Sequence, residues 1–169
     1  MKKMSGLWLG IFIISGVFQI IHPGDIRCMQ GKWELSKEKS VNVDKLLEAQ
    51  GHSWATRKAM VNMSMTQTIR IEGNKVHVFV ESTMMNKSYI LILDGKERME
   101  KSPFGKIFHT KYSLLPDHGF IAVSRDEEGN KSTTYRRCEN NGKTMVNKIK
   151  LEKKDGKVVS GTRVFIRVP

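Results

Sequence analysis

Two cysteines in 169 residues, Cys28 and Cys138, with no Cys-x-x-Cys pair, are too few for a disulfide framework. Aromatic residues make up only 8% of the chain and no block of arginine and lysine occurs, which argues against a dedicated nucleic-acid binder. The five histidines, His22, His52, His77, His109 and His118, are scattered without metal-ligand spacing, so no metal is expected. There is no P-loop, no paired-carboxylate signature and no Ser/His/Asp pattern. Cys138 has no evident histidine base and adjoins Arg137 in a strand-like run, where a plain structural cysteine is the simpler reading. Enzymatic activity and a cofactor are therefore not expected. The longest apolar run, 7–21, falls short of the about 20 residues that a membrane-spanning helix needs.

What the chain does have is positive charge. Lysine and arginine number 29 against 17 acids, a formal net charge of +12. That favours acidic partners, whether nucleic acid, anionic membrane or carboxylate ligand, without choosing among them. Lys2 and Lys3 followed by the apolar run have the form of a secretory signal peptide. No clean small-x-small triplet marks a cleavage site, and cleavage near Cys28 is expected, leaving 29–169 as one domain. The alternative is that Met29 is the original start and the protein is cytoplasmic. Three Asn-x-Ser sequons, at Asn62, Asn86 and Asn130, would be read only in the secretory pathway.

Beyond that segment the sequence is a procession of short strands. The run 157–168, KVVSGTRVFIRV, is rich in β-branched residues and reads as one of them. Alternation puts Val158, Thr162, Val164, Ile166 and Val168 on one face, and Val159, Gly161, Arg163, Phe165 and Arg167 on the other. The run 131–138 has the same habit, with Thr133, Tyr135 and Arg137 on one face and Arg136 on the other. Two designs fit: a basic outer surface, or a polar interior in which Arg137 and Arg163 converge on an anion. Strands are expected at 31–35, 66–72, 75–81, 87–93, 96–100, 106–115, 120–125, 131–138, 143–152 and in the tail, separated by Gly, Asn and Asp turn signals. Only 42–49, with Asn42 as cap, and 53–61, capped by Ser53, read as helices. Hairpin after hairpin without a crossover helix implies an antiparallel meander, whose closure into a barrel removes exposed edges. The expectation is an all-β, ten-stranded, up-and-down barrel of calycin type with a two-helix lid. Ten strands are more than side chains alone can fill, so a cavity is expected.

Several motifs then occur in a telling order: Gly31-Lys-Trp33, the helix pair ending in Gly51-x-x-x-Ala55-Thr56-Arg57-Lys58, Glu81-Ser82-Thr83, STTYRR and TRVF. This ordered set, from about Met29 to Val168, resembles the intracellular lipid-binding proteins, the fatty-acid-binding protein family. The resemblance implies binding and transport of a long-chain fatty acid or similar hydrophobic carboxylate. In that family two inward arginines and a tyrosine clasp the carboxylate. Arg137 matches the first arginine, Arg163 the second, and Phe165 stands in place of the tyrosine, which removes one hydroxyl donor. A retinol-type member would carry glutamines at the arginine positions. Met84 stands where a gating phenylalanine is usual, and Val43 replaces the phenylalanine of the first helix. No counterpart of a portal aspartate is found near Ser102 and Pro103.

Tyr89, Phe108 and Met60, Met63, Met65, Met84 and Met85 are candidates to line an adaptable interior, although ordinary barrel core explains any one of them. Lys45, Arg57 and Lys58, on the two lid helices, are expected to touch anionic membranes, and the protein is expected to be a monomer. The resemblance places Asn62 and Asn86 beside the portal, so Asn130, in a polar turn, is the expected glycan acceptor and Asn86 is expected to stay largely empty. Two other readings stay open: a secreted lipocalin-type carrier, which has no natural place for two helices after the first strand, and a basic protein that binds membrane surfaces.

Overall fold

A computed structural model of the chain describes residues 25–102 and 105–169. The segment 1–24, which holds the expected signal peptide, lies outside the described residues, as do 103 and 104.

Ten strands follow in order: β1 (Gly31–Val41), β2 (Met65–Glu72), β3 (Lys75–Ser82), β4 (Asn86–Ile92), β5 (Glu97–Lys101), β6 (Ile107–Leu115), β7 (Gly119–Asp126), β8 (Lys131–Glu139), β9 (Thr144–Glu152) and β10 (Val158–Arg167). Helices α1 (Val43–Ala49) and α2 (Trp54–Asn62) lie between β1 and β2. All pairings are antiparallel, in the order β4-β3-β2-β1-β10-β9-β8-β7-β6-β5. The result is an up-and-down meander that curls into a calycin-type barrel through the β1–β10 pairing, with β4 and β5 left as edges that do not pair with each other among the described residues. The hairpins turn where left-handed conformations come cheaply. Between β8 and β9, Asn140, Asn141 and Gly142 have φ of 52°, 53° and 76°.

Strand β1 kinks before α1, and its register on β10 shifts between Ser36 and Val41. Ser40 fills the kink: its Oγ donates to the Ser36 carbonyl at 2.6 Å and accepts from the Val164 N–H at 3.1 Å. The chain can pass there because residue 161 is glycine. A Cβ at that position would lie 3.2 Å from the carbonyl oxygens of both Val41 and Asn42. Ser53 caps α2 by accepting from the Thr56 N–H at 3.3 Å. Asn42 precedes α1 with φ of 57°, but its side chain makes no capping bond.

The apolar core fills the barrel end away from the helices. Trp33, Met29, Ile69, Val76, Phe120, Met145 and Phe165 pack there, none more than 2% exposed. Arg167 seals this floor. Its guanidinium lies 4.3 Å from the centre of the Trp33 ring and donates to the carbonyls of Gly142, Gln30 and Cys28.

Two expectations change at the N-terminus. Residues before Met29 belong to the packed domain: Ile26 is 4% exposed within the core, and His118 Nδ1 meets the Asp25 carbonyl at 3.1 Å. Cys28 and Cys138 are joined in a disulfide that ties this segment to β8. A boundary after residue 28 would remove a core side chain and half of that bond. Among the described residues, the packed domain therefore already includes Asp25 and Ile26.

Candidate functional site

Above the core floor and below the helices, the barrel encloses a cavity of about 1050 Å³. Its floor carries positive charge, arranged by strand register. Arg136 on β8 pairs with Asn147 on β9, and Asn147 pairs with Arg163 on β10, so the three form one row across the sheet. Phe120 on β7 extends the row, and the Arg136 guanidinium lies 5.5 Å from its ring centre. Arg136 is 8% exposed and donates through Nε to Asn147 Oδ1 at 2.9 Å.

That bond leaves cationic donors to spare. Arg136 Nη1 and Arg163 Nε are buried without a hydrogen-bond partner among the described residues. Neither arginine has a carboxylate within ion-pair distance there. Desolvation alone pushes the Arg163 pKa below the usual arginine value. On β2, Gln67, 5% exposed, leaves its Oε1 without a hydrogen bond. Two buried cations with unfilled donors are costly, and an anion between them removes that cost.

The structure redistributes the residues expected from sequence. Arg137 lies on the outer face of β8, half-exposed, paired with Glu139 at 2.9 Å and Asp117 at 3.8 Å. It is turned out of the barrel by strand parity, and Arg136 is the β8 arginine on the inward face, buried in the floor without itself lining the cavity. Arg163 lines the cavity. Phe165 is 1% exposed in the core, one inward step below Arg163, and does not line the cavity. Val43 lines a separate recess of about 320 Å³ beneath α1, which Arg163 also borders. Met84, in the turn after β3, is exposed at the cavity rim. Met60, Met63, Met65, Met85, Tyr89 and Phe108 line the cavity together with it.

The wall formed by β5 to β8 is polar. Tyr112 donates to Glu100 Oε2 at 2.8 Å, and Thr110 and Ser124 share a hydrogen bond of 3.0 Å. Burial raises the Tyr112 pKa far above the usual phenol value, helped by the Glu100 charge and its hydrogen bond. Sequence reasoning missed this wall because its members are ordinary strand residues until register aligns them.

The second lid helix is lightly held, whereas α1 buries Leu46 and Leu47. No residue of α2 is buried, and Trp54 is 68% exposed. Lys106 Nζ donates to the Gln50 carbonyl at 3.3 Å and joins the loop between the helices to the β5–β6 connection. Lys45 and Lys58 are exposed. Arg57 is not: its side chain is 12% exposed and pairs with Glu48 at 2.6 Å and Asp44 at 3.7 Å.

The three sequon asparagines differ in how they are bonded. Asn130 is tied down, its Nδ2 donating to Asp126 and Glu128 and its Oδ1 accepting from the Lys154 N–H. Asn62 donates to the Lys58 carbonyl. Asn86 and Ser88 are exposed at the start of β4. Among the described residues no group of side chains could hold a metal ion, and no helix is long and apolar enough to cross a membrane.

No family model matches the chain. A 14 kDa fatty acid-binding protein of Schistosoma mansoni is 31% identical over 115 residues, covering 68% of this chain and 82% of that protein. Among solved structures, a Schistosoma mansoni fatty acid binding protein in complex with arachidonic acid superposes with a TM-score of 0.73. It is 27% identical, with 86% of this chain and all of that one covered. Fatty-acid-binding protein 1 of Echinococcus granulosus, at 20% identity and a TM-score of 0.70, covers 85% of this chain and 99% of its own, and shares the fold.

Proposed function

The chain belongs to the fatty-acid-binding protein family, and from that premise we propose that Arg136 and Arg163 hold the carboxylate of one long-chain fatty acid in the barrel. The protein is a carrier of fatty acids and not an enzyme. The observation that supports this assignment is the pair of buried guanidinium nitrogens on one inward row that have no hydrogen-bond partner among the described residues. Each charge-assisted hydrogen bond contributes about 1.5–3 kcal/mol. Each buried methylene contributes about 0.8 kcal/mol, so the acyl chain supplies most of the affinity and the arginines select the head group. The methionines of the lid and rim, Met60, Met63, Met84 and Met85, adapt to chain shape. Displacement of a fluorescent fatty acid by long-chain acids from the purified protein is the direct assay. Folded protein that releases the probe to none of them would reject the reading.

The finer claims on partner and compartment are proposals as well. Lys45 and Lys58, on the helix pair that also exposes Trp54, meet anionic membranes, and the carrier acts as a monomer. Ligand transfer to vesicles should speed up with anionic lipid and slow with salt, and light scattering should give the mass of one chain. Secretion, after removal of a signal peptide upstream of Asp25, is supported by the Cys28–Cys138 bond, since disulfides persist in oxidising compartments. In a glycosylating host, Asn86 and not Asn130 is then the open acceptor. Intact-mass measurement of the native protein reports N-terminus and glycan together. A chain that begins at Met1 and carries no sugar would overturn secretion.

A further inference from the structure

Resting on the fatty-acid reading, we propose that the preferred ligands are fatty acids with a hydroxyl group in mid-chain, recognised by Thr110, Ser124 and Glu100. Register sets these groups together. Thr110 on β6 pairs with Ser124 on β7, which pairs with Ser132 on β8, giving a row of three hydroxyl residues that line the cavity. Thr110 is 3% exposed. Because Thr110 and Ser124 share a single hydrogen bond, the pair keeps a proton to donate and lone pairs to accept. Glu100 accepts the Tyr112 hydrogen bond on Oε2, and its Oε1 has no hydrogen bond among the described residues. Ser132 is four residues from Arg136 on the same strand, which puts the hydroxyl row about 13 Å from the carboxylate clasp. That distance reaches the middle of a long acyl chain, not its head.

The opposite wall differs in kind. Apart from Ser82, Lys87 and the Tyr89 hydroxyl, the β2–β4 side presents Met65, Val80, Ile90 and Leu91. A plain hydrocarbon satisfies that side and offers nothing to the other. A site built to hydrogen-bond a hydroxyl therefore discriminates against the analogue that lacks it.

Ricinoleic and oleic acids differ by a mid-chain hydroxyl and are the test pair, each competed against a bound fluorescent fatty acid. The intact chain should bind ricinoleic acid more tightly by about tenfold, equivalent to about 1.4 kcal/mol. Thr110→Val/Ser124→Ala should abolish the preference, bringing ricinoleic and oleic acids to equal affinity. Ser124→Ala alone, which keeps the buried Thr110, should move the same way if the double variant does not fold. Equal affinities in the intact chain, or a variant that weakens both acids together, would overturn the inference while leaving the fatty-acid reading in place. Failure of both acids to displace the probe would take down the fatty-acid reading itself.

Discussion

Arg136 and Arg137 are neighbours in sequence and opposites in environment. One donates to Asn147 inside the barrel, and the other pairs with Glu139 and Asp117 outside it. Arg136→Gln or Arg163→Gln should each weaken fatty-acid binding roughly tenfold or more, the worth of a charge-assisted hydrogen bond, and spare the matching fatty alcohol. Arg137→Gln should leave affinity unchanged, because its charge is solvated. Isothermal titration of acid and alcohol against the three variants checks both halves. Tyr112 gives a second test at this scale. Its folded pKa is raised above the unfolded value of about 10, so its contribution to stability is complete below that pH and is lost as pH rises beyond it. Urea unfolding should show Tyr112→Phe losing less stability across alkaline pH than the parent chain.

Among the elements, α2 is the one poised to move. It buries no side chain, and its first turn depends on the Ser53 cap. Ser53→Ala should cost about 1 kcal/mol of local helix stability. Hydrogen exchange of the α2 amides should then rise about fivefold, with the barrel strands unchanged, because lid opening is local. Equal acceleration across the strands would show that the lid and barrel open together. Strand β10 shows the opposite kind of element, fixed by packing. Its inward face holds Arg163 and Arg167 with Phe165 between them, while Val158 on the other face is 52% exposed. Simple valine counting would have turned that strand inside out.

For the molecule as a whole, the Cys28–Cys138 bond closes a separation of 110 residues. In the chain-entropy account a loop of that size contributes about 4–5 kcal/mol. Reduction, or Cys28→Ser with Cys138→Ser, should lower the urea midpoint accordingly. An unchanged midpoint would mean that the bond does not constrain the unfolded chain.

The architecture could be read from the sequence because its signals are local. Turn residues recur at regular spacing, strands are β-branched, and Ser53 stands before a helical stretch, so ten strands and two helices follow from nearest-neighbour chemistry. The paired arginines were visible too, as a type of residue on two strands. Which of two adjacent arginines faces inward was not, since STTYRRC offers one to each face. Register against Asn147 on β9 decided it, a contact across 11 residues that no alternation rule contains. The row of Thr110, Ser124 and Ser132, the Arg167 seal over Trp33 and the disulfide to the N-terminal segment are likewise products of tertiary packing. The hydroxyl row is aligned by the register of consecutive hairpins. The seal and the disulfide instead join side chains far apart along the chain that meet only where β10 returns to β1.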